Sequence, residues 1–203
     1  MLIGGALHPA GLEDAPFMEH TAVMLRNPVW PTSHAFSLLG SLLLLTGLLL
    51  ARQDADVAEA VGPRLLRIAV VGNAVWCIEG LAHLLAYRDL DALVSGGPTP
   101  ILSVHLAMAV VSYPLGNFPL VLVGPRLGRN WQPLVRVFAW LGAIGGLVYG
   151  VSAPIVVLNQ DQGYGILFPI GATLVAVWLL AAGLARPKPA PVERPVRQTQ
   201  TVG

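Results

Sequence analysis

The sequence predicts an all-α integral membrane protein: a bundle of five transmembrane helices with a short interfacial helix on the outer side. Only 11% of the 203 residues are charged, 55% are hydrophobic, and the mean hydropathy is +0.67. A soluble domain has about a quarter of its residues charged. Five apolar runs are each long enough to cross a bilayer, which takes about 20 helical residues. Because these runs are continuously apolar, helices are favoured over the alternating strands of a barrel.

The predicted spans cover residues 33–51, 65–87, 101–123, 134–158 and 164–185. Away from the ends of these runs there is no lysine or arginine, and Glu79 is the only carboxylate. The spans divide the chain into an outer N-terminal segment (1–32), a transmembrane bundle (33–185) and a C-terminal tail (186–203). The tail is rich in proline and basic residues and has no apolar period, so we expect it to be disordered.

The basic residues predict the orientation of the bundle. Ten of the twelve flank the same ends of the spans or follow the last one. The other faces carry only Arg26 and Arg88. The positive-inside rule makes the arginine-rich side, and with it the C-terminus, cytoplasmic. The excess of arginine over a single lysine, with much alanine, leucine and valine, indicates a bacterial cytoplasmic membrane.

The N-terminal segment has two predicted parts. Residues 1–7 are apolar but too short to cross, and they resemble the last turns of a helix that stops at His8-Pro9. We expect either a sixth span truncated at this point or a short anchor in the outer leaflet. Further on, Asp14 is predicted to cap a surface helix that ends before Pro28. Trp30, with Tyr87, is expected to be an interfacial anchor.

The candidate site is built from histidines near the outer ends of the first three spans. His34 begins the first span, His83 lies one turn before the end of the second, and His105 lies one turn into the third. Glu79 precedes His83 by four residues, so both project from one helix face. Each histidine leads a polar stripe, which predicts that the three stripes face one another. An ionisable group such as Glu79 within a span normally faces the bundle and has a partner.

Imidazole and carboxylate are the usual ligands of zinc, copper and iron, so the predicted site binds haem b or one of these metals. In the haem version two histidines are axial ligands, Gly80 makes room for the porphyrin, and Arg26 and Arg88 pair with the propionates. Such a protein would exchange electrons with quinol. In a second version a metal activates water for hydrolysis, with Glu79 as general base. His20 and Glu19 are secondary candidates that would cover the site from outside.

Other classes of function remain open. Glu79 and the histidines could line a proton or solute path in a small transporter or an accessory membrane subunit, with Pro114 and Pro119 opening a cavity. A structural role is also possible, because three glycines repeat every four residues on the fourth span: Gly142, Gly146 and Gly150. Expected partners are therefore the lipid bilayer, quinol or another membrane protein. The sparse basic residues disfavour nucleic acid, and the single cysteine, Cys77, excludes an internal disulfide.

Overall fold

The structure, a computed structural model, describes residues 2–12, 14–131 and 133–184. Of these residues 87% are helical and none is in a strand. The α-helices in this part of the chain are α1 (Leu2–Ala6), α2 (Phe17–Arg26), α3 (Trp30–Ala51), α4 (Ala55–Val61), α5 (Pro63–Leu85), α6 (Leu90–Ser95), α7 (Pro100–Leu127), α8 (Pro133–Asn159) and α9 (Leu167–Leu184). The predicted tail, 186–203, lies outside the described residues.

Five helical segments are long and apolar enough to cross a membrane, as the sequence predicts. They contain α3, α5, α7, α8 and α9, and these helices begin and end within a few residues of the predicted runs. Proline marks four of the starts, because its missing N–H is not needed in the first helical turn. Pro63, Pro100 and Pro133 are the first residues of α5, α7 and α8, and Pro31 is the second residue of α3. Gly62 precedes Pro63 and has a φ of +99°, a backbone conformation that residues other than glycine rarely adopt.

The five long helices pack serially, each antiparallel to the one before it. Close backbone approach is achieved at small residues: Gly72 of α5 lies against the carbonyl of Leu115 on α7. The predicted glycine repeat of α8 packs inside the bundle, since Gly142 faces Trp178 of α9 and Gly150 faces Phe118 of α7. At one end of the bundle, α1 contacts both α3 and α9.

The bundle is apolar outside and partly polar inside. Large exposed side chains along the spans are hydrophobic, for example Leu43, Ile78 and Leu180, each more than 60% exposed. Polar side chains are buried between helices, among them Asn73, Ser112, Asn117 and Ser152, all 0% exposed. This distribution is the one expected of helices whose outer surface meets lipid.

The two ends of the bundle differ in chemistry. The end at which α3, α7 and α9 begin carries His34, His83 and His105, and we call it the histidine end. The opposite end carries Arg52, Arg64, Arg126, Arg129 and Arg136, and we call it the arginine end. There Arg126 donates from Nη1 to the carbonyl of Val61 at 2.9 Å, which joins α7 to α4.

A small helical cap covers the histidine end. It consists of α2, the 3₁₀ turn Ala86–Asp89 and α6, packed around buried Leu25, Trp30, Ala86 and Leu102. The predicted surface helix is present as α2, but the prediction that Asp14 caps it is wrong. Asp14 lies two residues before the cap position with φ +59°, and Pro16 occupies that position with no side-chain cap. A helix cap must adjoin the first turn to reach its free N–H groups.

Asp89 supplies a cap that the sequence did not reveal. Its Oδ2 accepts a hydrogen bond from the backbone N–H of Leu102 at 2.8 Å, and the residue is only 7% exposed. Leu102 lies in the first turn of α7, where N–H groups have no partner within the helix. The 3₁₀ turn therefore holds the start of α7 in place beside the end of α5.

Candidate metal centre

Four histidine rings form a continuous row of contacts at the histidine end, in which only His83 and His105 are stacked. The ring centroids of His8 and His34 are 5.0 Å apart, those of His34 and His83 are 4.2 Å apart, and those of His83 and His105 are 3.9 Å apart. The four rings come from the N-terminal segment, α3, α5 and α7 respectively. The three histidine-led stripes identified in the sequence thus face one another.

Helix packing explains why these rings meet. His34 lies in the first two turns of α3, His83 in the last turn of α5, and His105 in the second turn of α7. In antiparallel neighbours, the start of one helix lies beside the end of the next. Glu79 and His83, four residues apart on α5, therefore share the face that α3 and α7 contact.

Glu79 is a buried carboxylate paired with histidine. Its Oε1 accepts from Nδ1 of His105 at 2.6 Å and lies 3.8 Å from Nδ1 of His83. Glu79 is 1% exposed, and among the described residues no lysine or arginine forms an ion pair with it. A buried carboxylate is costly unless it is paired and hydrogen-bonded, and His105 is the partner that the structure provides.

Among the described residues, one ring nitrogen of His34 has a hydrogen-bond partner and the other has none. Its Nδ1 donates to the carbonyl oxygen of Trp30 at 2.8 Å, which assigns the ring hydrogen to Nδ1, because a carbonyl cannot donate. Nε2 then carries a lone pair. The residue is 4% exposed, and Nε2 has no hydrogen-bond partner in the part of the chain that the structure describes. Metal-ligating histidines usually donate their second nitrogen to a carbonyl or carboxylate in this way.

His8 and His105 show the same arrangement. Nδ1 of His8 lies 3.0 Å from the carbonyl oxygen of Pro9, and Nδ1 of His105 donates to Glu79. In both rings Nε2 is left as the lone-pair nitrogen. Although His8 as a whole residue is exposed, partial desolvation of its ring lowers its pKa below the ordinary value of 6.5; the Pro9 carbonyl acts against this shift, and the charge of His20 adds to it. His8 is therefore neutral at pH 7, the form that binds metal.

Two groups of side chains have ligand atoms close enough to hold an ion. The first is His8, His34 and His83, and the second is Glu79, His83 and His105. Within each group the ligand atoms lie within 4.8 Å of one another. His83 belongs to both, so the two groups form one continuous array.

Trp30 is part of this centre, and its prediction as an interfacial anchor is wrong. It is 2% exposed, and its ring stacks on His34 with centroids 3.9 Å apart. The cap formed by α2 and α6 covers it, which removes it from the surface where an anchor would lie. Trp30 thereby holds the ring of His34 from one side and supplies the carbonyl that holds it from the other.

A cavity of about 30 Å³ lies on the bundle side of the centre. A cavity of this size holds one or two water molecules. It is lined by His34, Glu79 and His83 at one end and by Trp76, Tyr113 and Tyr149 at the other. A metal ion bound by the histidines would therefore have room for an exchangeable water molecule on this side.

The remaining predicted residues lie outside the two ligand groups. Gly80 lines the cavity beside His34 and His83 and faces Leu38 of α3, where a Cβ would meet Cδ1 at 3.3 Å. Arg26 and Arg88 are exposed, and neither hydrogen-bonds to the histidines among the described residues. His20 packs on Gly11 and bonds to the Leu12 carbonyl at 2.8 Å, outside both ligand groups, and Glu19 is exposed.

Sequence reasoning did not include His8 or Trp30 in the site. The available signal was the apolar stretch that stops abruptly at His8-Pro9. The position of His8 in the bundle depends on α1 folding back against α3, and no local periodicity predicts such a contact.

Comparison of the chain with protein-family models, with curated proteins and with solved structures found no match.

Proposed function

We propose that this protein is a multi-pass membrane protein that binds a transition-metal ion at its histidine end. The observation that carries the proposal is Nε2 of His34, a buried lone pair with no partner in the described part of the chain, whose ring is fixed by the Trp30 carbonyl. Leaving a buried acceptor unpaired costs about 1–3 kcal/mol. A bound cation removes that cost and uses a ligand that is already oriented.

The first ligands are the imidazoles of His8, His34 and His83, whose ligand atoms lie within 4.8 Å of one another. Three neutral imidazoles suit copper, iron or zinc. The cavity beside His34 and His83 supplies an open position for water. His105, with Glu79 behind it, lies on the far side of His83.

An ion suits this geometry better than haem b. A bis-histidine haem needs its two ligand rings on opposite faces of the porphyrin. Here neighbouring rings pack directly on one another, with centroids 3.9–4.2 Å apart for the three span histidines. The cavity of about 30 Å³ is far smaller than a porphyrin.

Electron transfer suits the centre better than hydrolysis. Glu79 is bound to His105 and is not free to act as general base. The cavity admits water but no larger substrate. A copper or iron ion that exchanges electrons with quinol needs neither a free general base nor room for a substrate. Electrons can pass to the metal without the donor entering the cavity. An apolar groove on the outside of α3, lined by Thr32, Ala35 and Phe36, is where the quinol ring would approach.

The apolar exterior supports insertion in a bilayer, and the basic residues orient it. We propose that the arginine end faces the cytoplasm of a bacterium, so that the metal lies near the outer surface. Alkaline phosphatase fused after Gly97 should then be active, and the same reporter fused after Gly128 should be inactive. The reverse pattern would contradict this orientation.

The test of metal binding is to load the detergent-purified protein with copper or zinc and measure bound metal after desalting. The wild-type chain should retain metal at stoichiometric amounts, and His34→Ala should weaken binding at least 10-fold, the usual effect of losing an oriented ligand. His20→Ala is the matched control and should bind like wild type. Absence of metal in the loaded wild type, or equal binding by His34→Ala, would overturn the proposal. An absorption spectrum of protein expressed with haem supplied should lack a Soret band.

A polar path is the second candidate function. Below the cavity, Oδ1 of Asn73 and Oγ of Ser112 are buried and have no partner among the described residues. Such atoms would suit a chain of waters leading inward from Glu79. Glu79→Gln should then abolish proton or ion flux in liposomes. If the protein binds no metal but shows such a flux, transport replaces metal binding as its function.

A further inference from the structure

We infer that the centre holds two metal ions, not one, and that His83 bridges them. The second position is formed by Glu79, His83 and His105. This inference rests on the proposed function, because the first ion is the one bound by His8, His34 and His83.

One of the two distances measured in the second group already suits an ion, and the other is that of a hydrogen bond. Oε1 of Glu79 lies 2.6 Å from Nδ1 of His105 and 3.8 Å from Nδ1 of His83. Ligand atoms around one zinc or copper ion are each about 2.0–2.2 Å from the metal, so they lie roughly 3–4 Å from one another. When a metal takes the place of the proton between Glu79 and His105, Nδ1 of His105 binds the ion, the ring hydrogen moves to Nε2, and the 2.6 Å separation widens.

His83 has one ring nitrogen for each position. Its Nδ1 points towards Glu79, as the 3.8 Å distance shows. Nε2, across the ring, remains for the group that contains His8 and His34. When both nitrogens bind metal, the ring loses its N–H proton to solvent and becomes an imidazolate. The rings of His34 and His105 pack on either side of His83 at 4.2 and 3.9 Å and hold it in this central place.

The electrostatics of the buried site favour the second ion. Glu79 is 1% exposed and, in the part of the chain that is described, has no lysine or arginine partner. A metal bound to its carboxylate would supply a fixed positive charge at this buried position. The imidazolate of His83 adds a second negative charge between the ions. Two anionic ligands and three neutral imidazoles thus form a donor set suited to a pair of copper or zinc ions.

The test is to load the full-length, detergent-purified protein with copper(II) and measure copper per chain together with the EPR intensity per copper. Wild type should bind two copper ions. Coupling of their spins through the imidazolate should reduce the EPR intensity per copper well below that of an isolated copper(II) ion.

Single substitutions separate the two positions. Glu79→Gln should retain one copper, and His8→Ala should also retain one, each with the full EPR intensity of an isolated ion. His20→Ala should keep two coupled ions. Because Glu79→Gln may unfold the bundle, the wild-type stoichiometry and spin coupling are decisive by themselves.

The outcomes distinguish this inference from the proposed function. Two coupled copper ions in wild type support both. One copper per chain with full EPR intensity overturns the second position and leaves the proposed function standing. No bound copper or zinc overturns both.

Discussion

At the scale of single residues, the site depends on side chains that are held by backbone groups. The Trp30 carbonyl orients His34, the Pro9 carbonyl lies against His8, and Leu102 N–H binds Asp89. The N–H of Leu102 is free for this contact because it lies in the first turn of α7. All three interactions lie at the histidine end, where helices begin and end.

Asp89 provides a test of this residue-scale organisation. Asp89→Ala should lower the free energy of unfolding by about 1–2 kcal/mol, because it removes both the cap and a negative charge near the start of α7. Asp89→Asn should cost less, since its amide oxygen still accepts. Thermal unfolding in detergent would measure both changes.

The control is Asp91→Ala, two residues further on and exposed. It should leave the unfolding midpoint unchanged. An equal loss of stability in the Asp89 and Asp91 variants would contradict the capping role.

At the scale of elements, α1 completes the centre by carrying His8 to the bundle. Gly4 allows this contact: a Cβ there would lie 2.6 Å from the Ser33 carbonyl oxygen and 2.9 Å from the Ser37 nitrogen, both backbone atoms of α3. Backbone atoms cannot rotate away as a flexible side chain can. The short helix therefore docks only where it has no side chain.

Gly4→Val should displace α1 from α3 and weaken metal binding at least 10-fold through the loss of His8. Gly5→Val is the matched control, because a Cβ at Gly5 meets nothing within 4 Å. Metal titration of the two variants would compare them. If both bind like wild type, His8 is not a ligand.

The docking of this segment should also depend on pH. Partial desolvation of the His8 ring lowers its pKa from 6.5 against the Pro9 carbonyl, the charge of His20 contributes to the shift, and His34 faces the ring. A depressed histidine pKa means that the docked state disfavours the proton. Docking is therefore fully stable above about pH 6.5 and weakens as the pH falls below it.

Hydrogen-exchange protection factors of residues 3–7 in metal-free protein would measure this effect. They should fall between pH 7.5 and pH 5 in wild type. In His8→Phe, which keeps a ring but cannot titrate, they should fall much less. Equal losses in the two proteins would assign the pH dependence to another group.

At the scale of the whole molecule, close packing of small residues between helices holds the bundle together. Lipid offers apolar surface as good as any side chain, so helices associate through tight contacts and buried polar groups. Gly72 against Leu115 is one such contact, and Asn73 donating to the Gly116 carbonyl at 2.9 Å is another. Both join α5 to α7, the pair that carries Glu79, His83 and His105.

Gly72→Ala should destabilise the bundle by about 1–3 kcal/mol, because its Cβ would overlap the Leu115 carbonyl and push α5 and α7 apart. Gly47→Ala, where a Cβ meets nothing within 4 Å, should be neutral or stabilising through its higher helix propensity. Thermal unfolding in detergent would rank the two variants. A smaller loss for Gly72 than for Gly47 would contradict this account of packing.

The sequence by itself determined the number and approximate limits of the long helices and which of their ends are basic, because these depend on local properties: run length, proline and glycine at the starts, and arginines at the ends. It also identified His34, Glu79, His83 and His105 as the candidate site, since helical periodicity shows which residues share a face. Only the tertiary structure decided that His8 joins them, that Trp30 is buried beside His34, and that Asp89 rather than Asp14 caps a helix. These contacts join residues far apart in the chain, and they depend on how helices and turns pack, which no local pattern encodes.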